Sequence, residues 1–118
     1  MKININKIKP NPINDEIYSS SDLTDLIDSI ENNGQLESIN VNKKMTIISG
    51  HRRYYSMKQL GFKEVDVEIK DFNNDIIALI EYNRHRVKSV QDILNESRIL
   101  EEEYKKKIGR GKRTDLSG

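Results

Sequence analysis

The run Ile47-Ile48-Ser49-Gly50-His51-Arg52-Arg53-Tyr54-Tyr55 sets two guanidinium groups directly behind a β-prone pair and a glycine. Ile47 and Ile48 read as the end of a strand, and His51–Leu60 reads as a helix closed by Gly61. The first turn of a helix has unpaired N–H groups and the positive end of the macrodipole, so it suits an anion. That same field disfavours arginine there. A phosphate reconciles the two, because it takes the backbone donors and pairs with the guanidinium forks, each charged hydrogen bond contributing roughly 1.5–3 kcal/mol. Under the alternative reading, Arg52 and Arg53 are solvated or pair with the acids of residues 15–37.

A second basic window, Asn83-Arg84-His85-Arg86, follows an apolar run and would clamp a polyphosphate from the other side if it returned beside the first. By itself it reads equally as a wet helix end, where cations complement the negative dipole terminus. For acid–base chemistry the candidates are His51 and Glu81; His51 would serve either as a donor to an anion or as an acid or base near neutral pH. Two histidines 34 residues apart, with no third ligand at familiar spacing, make no case for zinc. Glu101, Glu102 and Glu103 face different sides of a helix and read as a solvated face. Gly109-Arg110-Gly111-Lys112-Arg113-Thr114 lacks the hydroxyl residue directly after Lys, and the preceding strand, that a Walker A loop requires. Lys105, Lys106, Lys107, Arg110, Lys112 and Arg113 are candidate contacts to nucleic-acid phosphates, with an ordinary basic helix end as the alternative.

These groups need elements to hold them. Lys2–Ile8 alternates as a short strand that Pro10-Asn11-Pro12 ends. Leu23, Leu26, Ile27 and Ile30 fall at i, i+3, i+4 and i+7, with Ser19, Ser20 and Ser21 as candidate caps and Gly34 as the stop. Ser38–Val41 and Thr46–Ile48 form a hairpin or near-hairpin, and Val65, Val67 and Ile69 make a further strand. Asp75–Tyr82 is predicted helical, capped by Asn73 or Asn74. Ser89-Val90-Gln91-Asp92 resembles a capping box with Asp at its third helical position. The helix it opens has Val90, Ile93, Leu94, Ser97, Leu100 and Tyr104 on one face and is broken by Gly109 and Gly111.

At 118 residues and 13.7 kDa the chain has room for one domain with an ordinary core. It contains no cysteine, which excludes disulfides, thiolate zinc sites and a cysteine nucleophile. No 18-residue apolar run or signal-peptide core occurs, so a cytoplasmic protein without membrane association is the expectation. The net charge of +1 hides a division: residues 10–42 hold seven acids and no Lys or Arg, while the basic windows lie later. Segregated signs with a near-neutral sum point to a local anion site rather than a basic coat.

Several segments, in order, resemble the N-terminal domain of ParB-type partition proteins, within the ParB/sulfiredoxin superfamily. These are Ile8-Lys9-Pro10-Asn11-Pro12, the helix at Leu23–Ile30, Asn33-Gly34-Gln35-Leu36-Glu37-Ser38-Ile39-Asn40-Val41, Ile48-Ser49-Gly50-His51-Arg52-Arg53, Leu60-Gly61 and Asn83-Arg84-His85-Arg86. The resemblance implies an α+β fold, a small mixed sheet with flanking helices and a long C-terminal helix. It implies a nucleotide-binding domain over residues 1–88, a C-terminal helix or linker start over 89–108, and a basic loop over 109–118 leading toward a helix-turn-helix region. The implied ligand is CTP or another nucleoside triphosphate with Mg2+. Gly34 and Gln35 would lie near the nucleotide, and Ser49, Gly50, His51, Arg52 and Arg53 would stand at the triphosphate. Asn83, Arg84 and Arg86 would hold phosphates, with Asn83 also at the metal. The implied setting is a homodimeric, nucleoid- or plasmid-associated protein that meets DNA in the full-length context and uses the nucleotide to switch or clamp.

Three departures from the family pattern bear on this. His51 stands where the box has Glu, Ile13 where an Arg follows Asn-Pro, and Tyr82 where Glu precedes Asn83, with Glu81 one place early. The first implies an altered local charge and a changed choice of nucleotide, the second the loss of one basic residue, and the third binding with poor turnover. Sulfiredoxin chemistry is excluded, since His51 holds the place of its cysteine. Two other readings stand beside a gated module: a phosphotransferase or ParB-like nuclease on this scaffold, and a protein-interaction domain with a vestigial phosphate loop.

Overall fold

The computed structural model describes residues 1–18, 22–84, 86 and 88–111, with side chains to residue 106. Its centre is a four-stranded mixed sheet of β1 (Lys2–Asn4), β2 (Ile39–Val41), β3 (Ile47–Ser49) and β4 (Glu64–Ile69), in the order β1-β4-β2-β3. β4 runs antiparallel to β1 and parallel to β2, and β2 runs antiparallel to β3. The parallel pair needs a crossover, which helix α3 (His51–Gln59) supplies. The other helices are α1 (Pro12–Ile17), α2 (Thr24–Asn33), α4 (Asp75–Tyr82) and α5 (Val90–Gly111). This is the α+β architecture expected from the sequence.

Adjacent residues on a strand face opposite ways, and β3 uses this to serve two cores. Ile47 packs with Ile30, Ile39, Val41, Tyr54, Met57, Val65 and Val67 beneath α2 and α3. Ile48 packs on the other face with Ile17, Tyr18, Leu79, Ile80 and Ile99, beneath α1, α4 and α5. β3 therefore ends between two helical layers, and the chain leaves it through Gly50.

Local details depart from the sequence reading in five places. β1 stops at Asn4, whose side chain accepts from the Asn6 amide and starts a 3-10 turn at Ile5–Lys7. The Asn11-Pro12 pair does more than end a strand. Asn11 caps α1 by accepting from the Ile13 amide at 3.0 Å, with Pro12 at the first helical position. Asp22 ties the start of α2, accepting from the amide and hydroxyl of Thr24, whereas Ser19, Ser20 and Ser21 lie outside the described residues. α5 continues through Gly109 to Gly111. One glycine costs a long cooperative helix only about 1 kcal/mol, too little to stop it.

The fifth departure is the face α5 buries. Val90, Ile93, Leu94 and Tyr104 are exposed, whereas Asp92, Glu96, Ile99 and Glu103 are buried. Polar bonds hold this face. Ser89 and Asp92 form the predicted reciprocal capping box, at 3.1 and 3.2 Å. Tyr18 donates its hydroxyl to Glu96, which also pairs with Lys88 at 2.9 Å. Asn95 donates to the Ile17 carbonyl, and Asn74, the cap of α4, donates to Glu103.

Candidate nucleotide-binding site

The sequence Ser49-Gly50-His51 makes the turn from β3 into α3. Gly50 adopts φ +106°, and a Cβ added there would come within 3.2 Å of Ile39 Cγ1. Only glycine lets the chain turn this tightly against β2. No side chain caps α3, and its first intrahelical amide bond runs from Tyr54 to the Gly50 carbonyl at 2.9 Å. Among the described residues the amides of His51, Arg52 and Arg53 have no backbone acceptor, and the three residues line a cavity of about 870 Å³.

The cavity runs between the two helical layers. Ser49, Gly50, His51, Arg52 and Arg53 line one side of it, and Tyr82, Asn83, Arg86, Lys88, Ser89 and Asp92 come from the end of α4 and the start of α5. The two basic windows, separated by thirty residues, thus meet across one space. Arg53 pairs with Glu37 at 2.9 Å, and Arg52 donates to the Asp22 carbonyl at 3.1 Å. Among the described residues only one of the two guanidinium groups is held by a carboxylate, and that carboxylate is solvent-exposed, where such pairs are weak. A polyphosphate with several charges would displace it.

His51 has a different occupation from the one its sequence position suggests. It is buried, and its Nε2 accepts a hydrogen bond from the Asn11 amide at 3.0 Å. That bond requires an unprotonated Nε2, and burial lowers the pKa to about 4. At neutral pH the ring is a neutral strut between α3 and α1, with no free Nε2 to act as a base. Glu81 is exposed, pairs with Arg84 at 3.1 Å, and does not line the cavity; nor does Arg84. Gln35 is also elsewhere, its amide bonded both ways to the backbone of Asp66 at 2.7 and 2.9 Å. Gly34, at φ +74°, ends α2 and is likewise outside the cavity lining.

The Asn83 amide donates to the Leu79 carbonyl and accepts from Arg86 at 3.4 Å, so a metal at its oxygen would first have to displace that guanidinium. Among the described residues no group of three or more His, Cys, Asp or Glu side chains could hold a metal ion. Of the basic tail, Lys105 pairs with Glu101 and Lys106 with Glu103; the side chains of Lys107, Arg110, Lys112 and Arg113, and that of His85, lie outside the described residues. Sequence reading missed Asn14, Leu26, Glu37, Tyr82, Lys88, Ser89 and Asp92 as lining residues. Of these, Asn14 was within reach, since Asn11-Pro12 signals a helix that carries it one turn on.

Residues 1–82 match the family model described as the ParB N-terminal domain. The chain belongs to that family. It is 40% identical over 72 residues to the probable chromosome-partitioning protein ParB of Rickettsia typhi, covering 60% of this chain and 25% of that one. With the nucleoid occlusion protein of a Geobacillus strain it shares 27% over 96% of its length and 46% of the relative's. The chain therefore spans between a quarter and a half of these relatives. Among solved structures, a Pnob8-like ParB N-domain superposes with a TM-score of 0.77 at 21% identity, over 93% of this chain and 48% of that one. A C-terminally truncated Caulobacter crescentus ParB complexed with CTP-γ-S gives 0.62 at 23%, over 97% and 65%. Both likenesses establish the fold. Among the described residues of this ParB-family chain, no helix is long and apolar enough to cross a membrane.

Proposed function

We propose that this ParB-family domain binds a nucleoside triphosphate, CTP before others, in the cavity between α3 and the α4–α5 junction. We propose further that it belongs to a DNA-associated partition protein in which nucleotide occupancy controls how the domain pairs or clamps. The observation that carries the reading is the convergence at one cavity of the uncapped α3 N-terminus, the Gly50 turn that admits no Cβ, and cations from both windows. Backbone amides and guanidinium forks together favour several adjacent negative charges. CTP is preferred because the Caulobacter neighbour holds its γ-thio analogue. Mg2+ enters the proposal as the ion that accompanies a triphosphate, neutralising charge the protein leaves unpaired.

The site favours binding over turnover. Glu81 lies outside the cavity and His51 Nε2 is engaged. The carboxylates that do line the cavity are committed, Glu37 to Arg53 and Asp92 to the Ser89 amide. Titration calorimetry with CTP, ATP, GTP and UTP in Mg2+ is the test. Saturable binding with CTP tightest, weakened at least tenfold by Arg52→Ala, is expected, and CTP should remain intact over hours. Absence of saturable binding by all four nucleotides overturns the proposal.

A further inference from the structure

The lysines of this protein fall into two groups. Lys2, Lys43, Lys70, Lys88, Lys105 and Lys106 each pair with a carboxylate. Lys7, Lys9, Lys44, Lys58 and Lys63 are exposed, and among the described residues none of them makes an ion pair. The fold gathers this second group. Lys58 and Lys63 rim an open depression of about 400 Å³ together with Asn4 and Asn6, and Lys7 follows Asn6 in the same 3-10 turn. The turn is fastened there by the Ile5 amide, which donates to the Lys63 carbonyl at 2.9 Å.

From this turn the chain continues to the other edge of the sheet. The Lys9 amide donates to the Met45 carbonyl at 3.0 Å, which sets Lys9 beside the hairpin that carries Lys44. Ile8 between them is extended and 3% exposed in the first core, so its neighbours Lys7 and Lys9 are turned to solvent. The Lys58 ammonium lies 5.4 Å from the Tyr54 ring centroid, a contact that does not neutralise its charge. Glu64, exposed and next to Lys63, subtracts one charge, so five lysines less one glutamate leave a surplus of four. The band lies at the opposite end of α3 from the phosphate turn, about 13 Å away by the rise of a nine-residue helix.

A partner for such a band must be densely anionic. Protein interfaces are built on aromatic and arginine anchors and are poor in lysine. The residues at 4–9, 44 and 58–63 include no exposed large hydrophobic side chain and no arginine. Lysine ammoniums and asparagine amides, which here lie side by side, are backbone-contacting groups that carry no base information by themselves. We infer that this band is a sequence-independent surface for the phosphate backbone of duplex DNA, separate from the nucleotide cavity and from the basic run at 105–113. Only the choice of DNA rests on the function proposed above; the nucleotide plays no part in it. Residues 5–9 span roughly 11 Å, counted from 3-10 and extended rises, enough to face about three phosphates of one strand.

The test is fluorescence anisotropy of two unrelated short DNA duplexes over a range of NaCl, with wild type and the triple variant Lys7→Gln/Lys58→Gln/Lys63→Gln. Wild type is expected to bind both duplexes alike. The triple variant is expected to bind both at least tenfold more weakly at about 50 mM salt, with its log–log salt slope shallower by about two to three. Its melting temperature and CTP affinity should equal those of wild type, and arginine at the same three positions should restore DNA binding, since the charge returns. Wild-type affinity in the glutamine variant overturns the inference and assigns the binding to the run at 105–113. Wild type that binds neither duplex at low salt, or that prefers one sequence, overturns it as well. So does tighter binding of labelled poly-glutamate than of either duplex, which would mark an acidic protein as the partner. Should the triple variant melt lower than wild type, the single variants Lys7→Gln and Lys44→Gln decide: each should flatten the slope by about one, and unchanged slopes overturn the inference. CTP titration of the same proteins reads the nucleotide proposal separately, and a wild type that binds DNA but no nucleotide would sink that proposal and leave this one standing.

Discussion

At the scale of single residues, Gly50 and His51 do different work in the same turn. Gly50 fits because φ +106° and the 3.2 Å approach to Ile39 leave no place for a side chain. Gly50→Ala is expected to destabilise the fold by about 1–3 kcal/mol, measured by urea denaturation, and to weaken nucleotide binding by shifting the α3 amides. His51 links the turn to α1 as a hydrogen-bond acceptor. Its pKa falls from the ordinary 6.5 to about 4 on folding, so the unfolded chain binds more protons between these values. The stability His51 contributes is complete above pH 6.5 and drains away as pH falls toward 4, by up to about 3 kcal/mol. His51→Gln keeps an acceptor for Asn11 without titrating. Subtracting its stability–pH curve from that of wild type should leave a slope confined to that window, and parallel curves would refute the assignment. The phosphate turn was legible in the sequence because glycine followed by two arginines has a local physical meaning. The occupation of His51 was not, since its partner lies forty residues away.

At the scale of elements, the sequence located α2, α3, α4, β4 and the start of α5 correctly, because caps and apolar periods are local signals. It misjudged how α5 docks. Of the apolar stripe that periodicity selects, Leu100 packs against the second core, whereas Val90, Ile93, Leu94 and Tyr104 are exposed. The buried face instead sets Ile99 among polar groups satisfied by partners from Tyr18, Lys88, Ser89 and Asn74, which no helical period can announce. The consequence is a reversed pattern of sensitivity. Leu94→Gln should change stability by no more than about 0.5 kcal/mol, whereas Ile99→Ala should cost about 2–5 kcal/mol. Glu96→Ala should be comparably costly, at about 3 kcal/mol, because it strands the Tyr18 hydroxyl and the Lys88 ammonium, the latter only 14% exposed. Denaturant midpoints for the three variants decide the matter. A Leu94→Gln loss equal to that of Ile99→Ala would return the apolar stripe to the core.

At the scale of the whole molecule, the two helical layers are joined by one sheet, by the Asn11–His51 hydrogen bond and by whatever spans the cavity between them. α2 and α3 cover one core, α1, α4 and α5 the other, and β3 supplies Ile47 to the first and Ile48 to the second. A ligand clamped by the α3 N-terminus, Arg86 and Lys88 would touch both layers, so its binding energy adds to the stability of the assembled fold rather than to one part. Linkage sets the size of the effect: ligand at a hundred times its dissociation constant adds about 2.7 kcal/mol to a protein whose unfolded chain does not bind it. For a domain of this length such a gain corresponds to a rise in melting temperature of roughly 10 °C or more. The acids of residues 10–42 and the later basic windows make the effect depend on salt, since added ions screen the attraction between phosphates and the cavity cations. Thermal melts with CTP and Mg2+ at low and high NaCl should therefore show one cooperative transition that moves upward with nucleotide, and moves less at high salt. Hydrogen exchange should slow in α1, α3 and the start of α5 together. Protection confined to α3 would mean that the ligand rests on one layer, and that Arg86 and Lys88 border the site without closing on it.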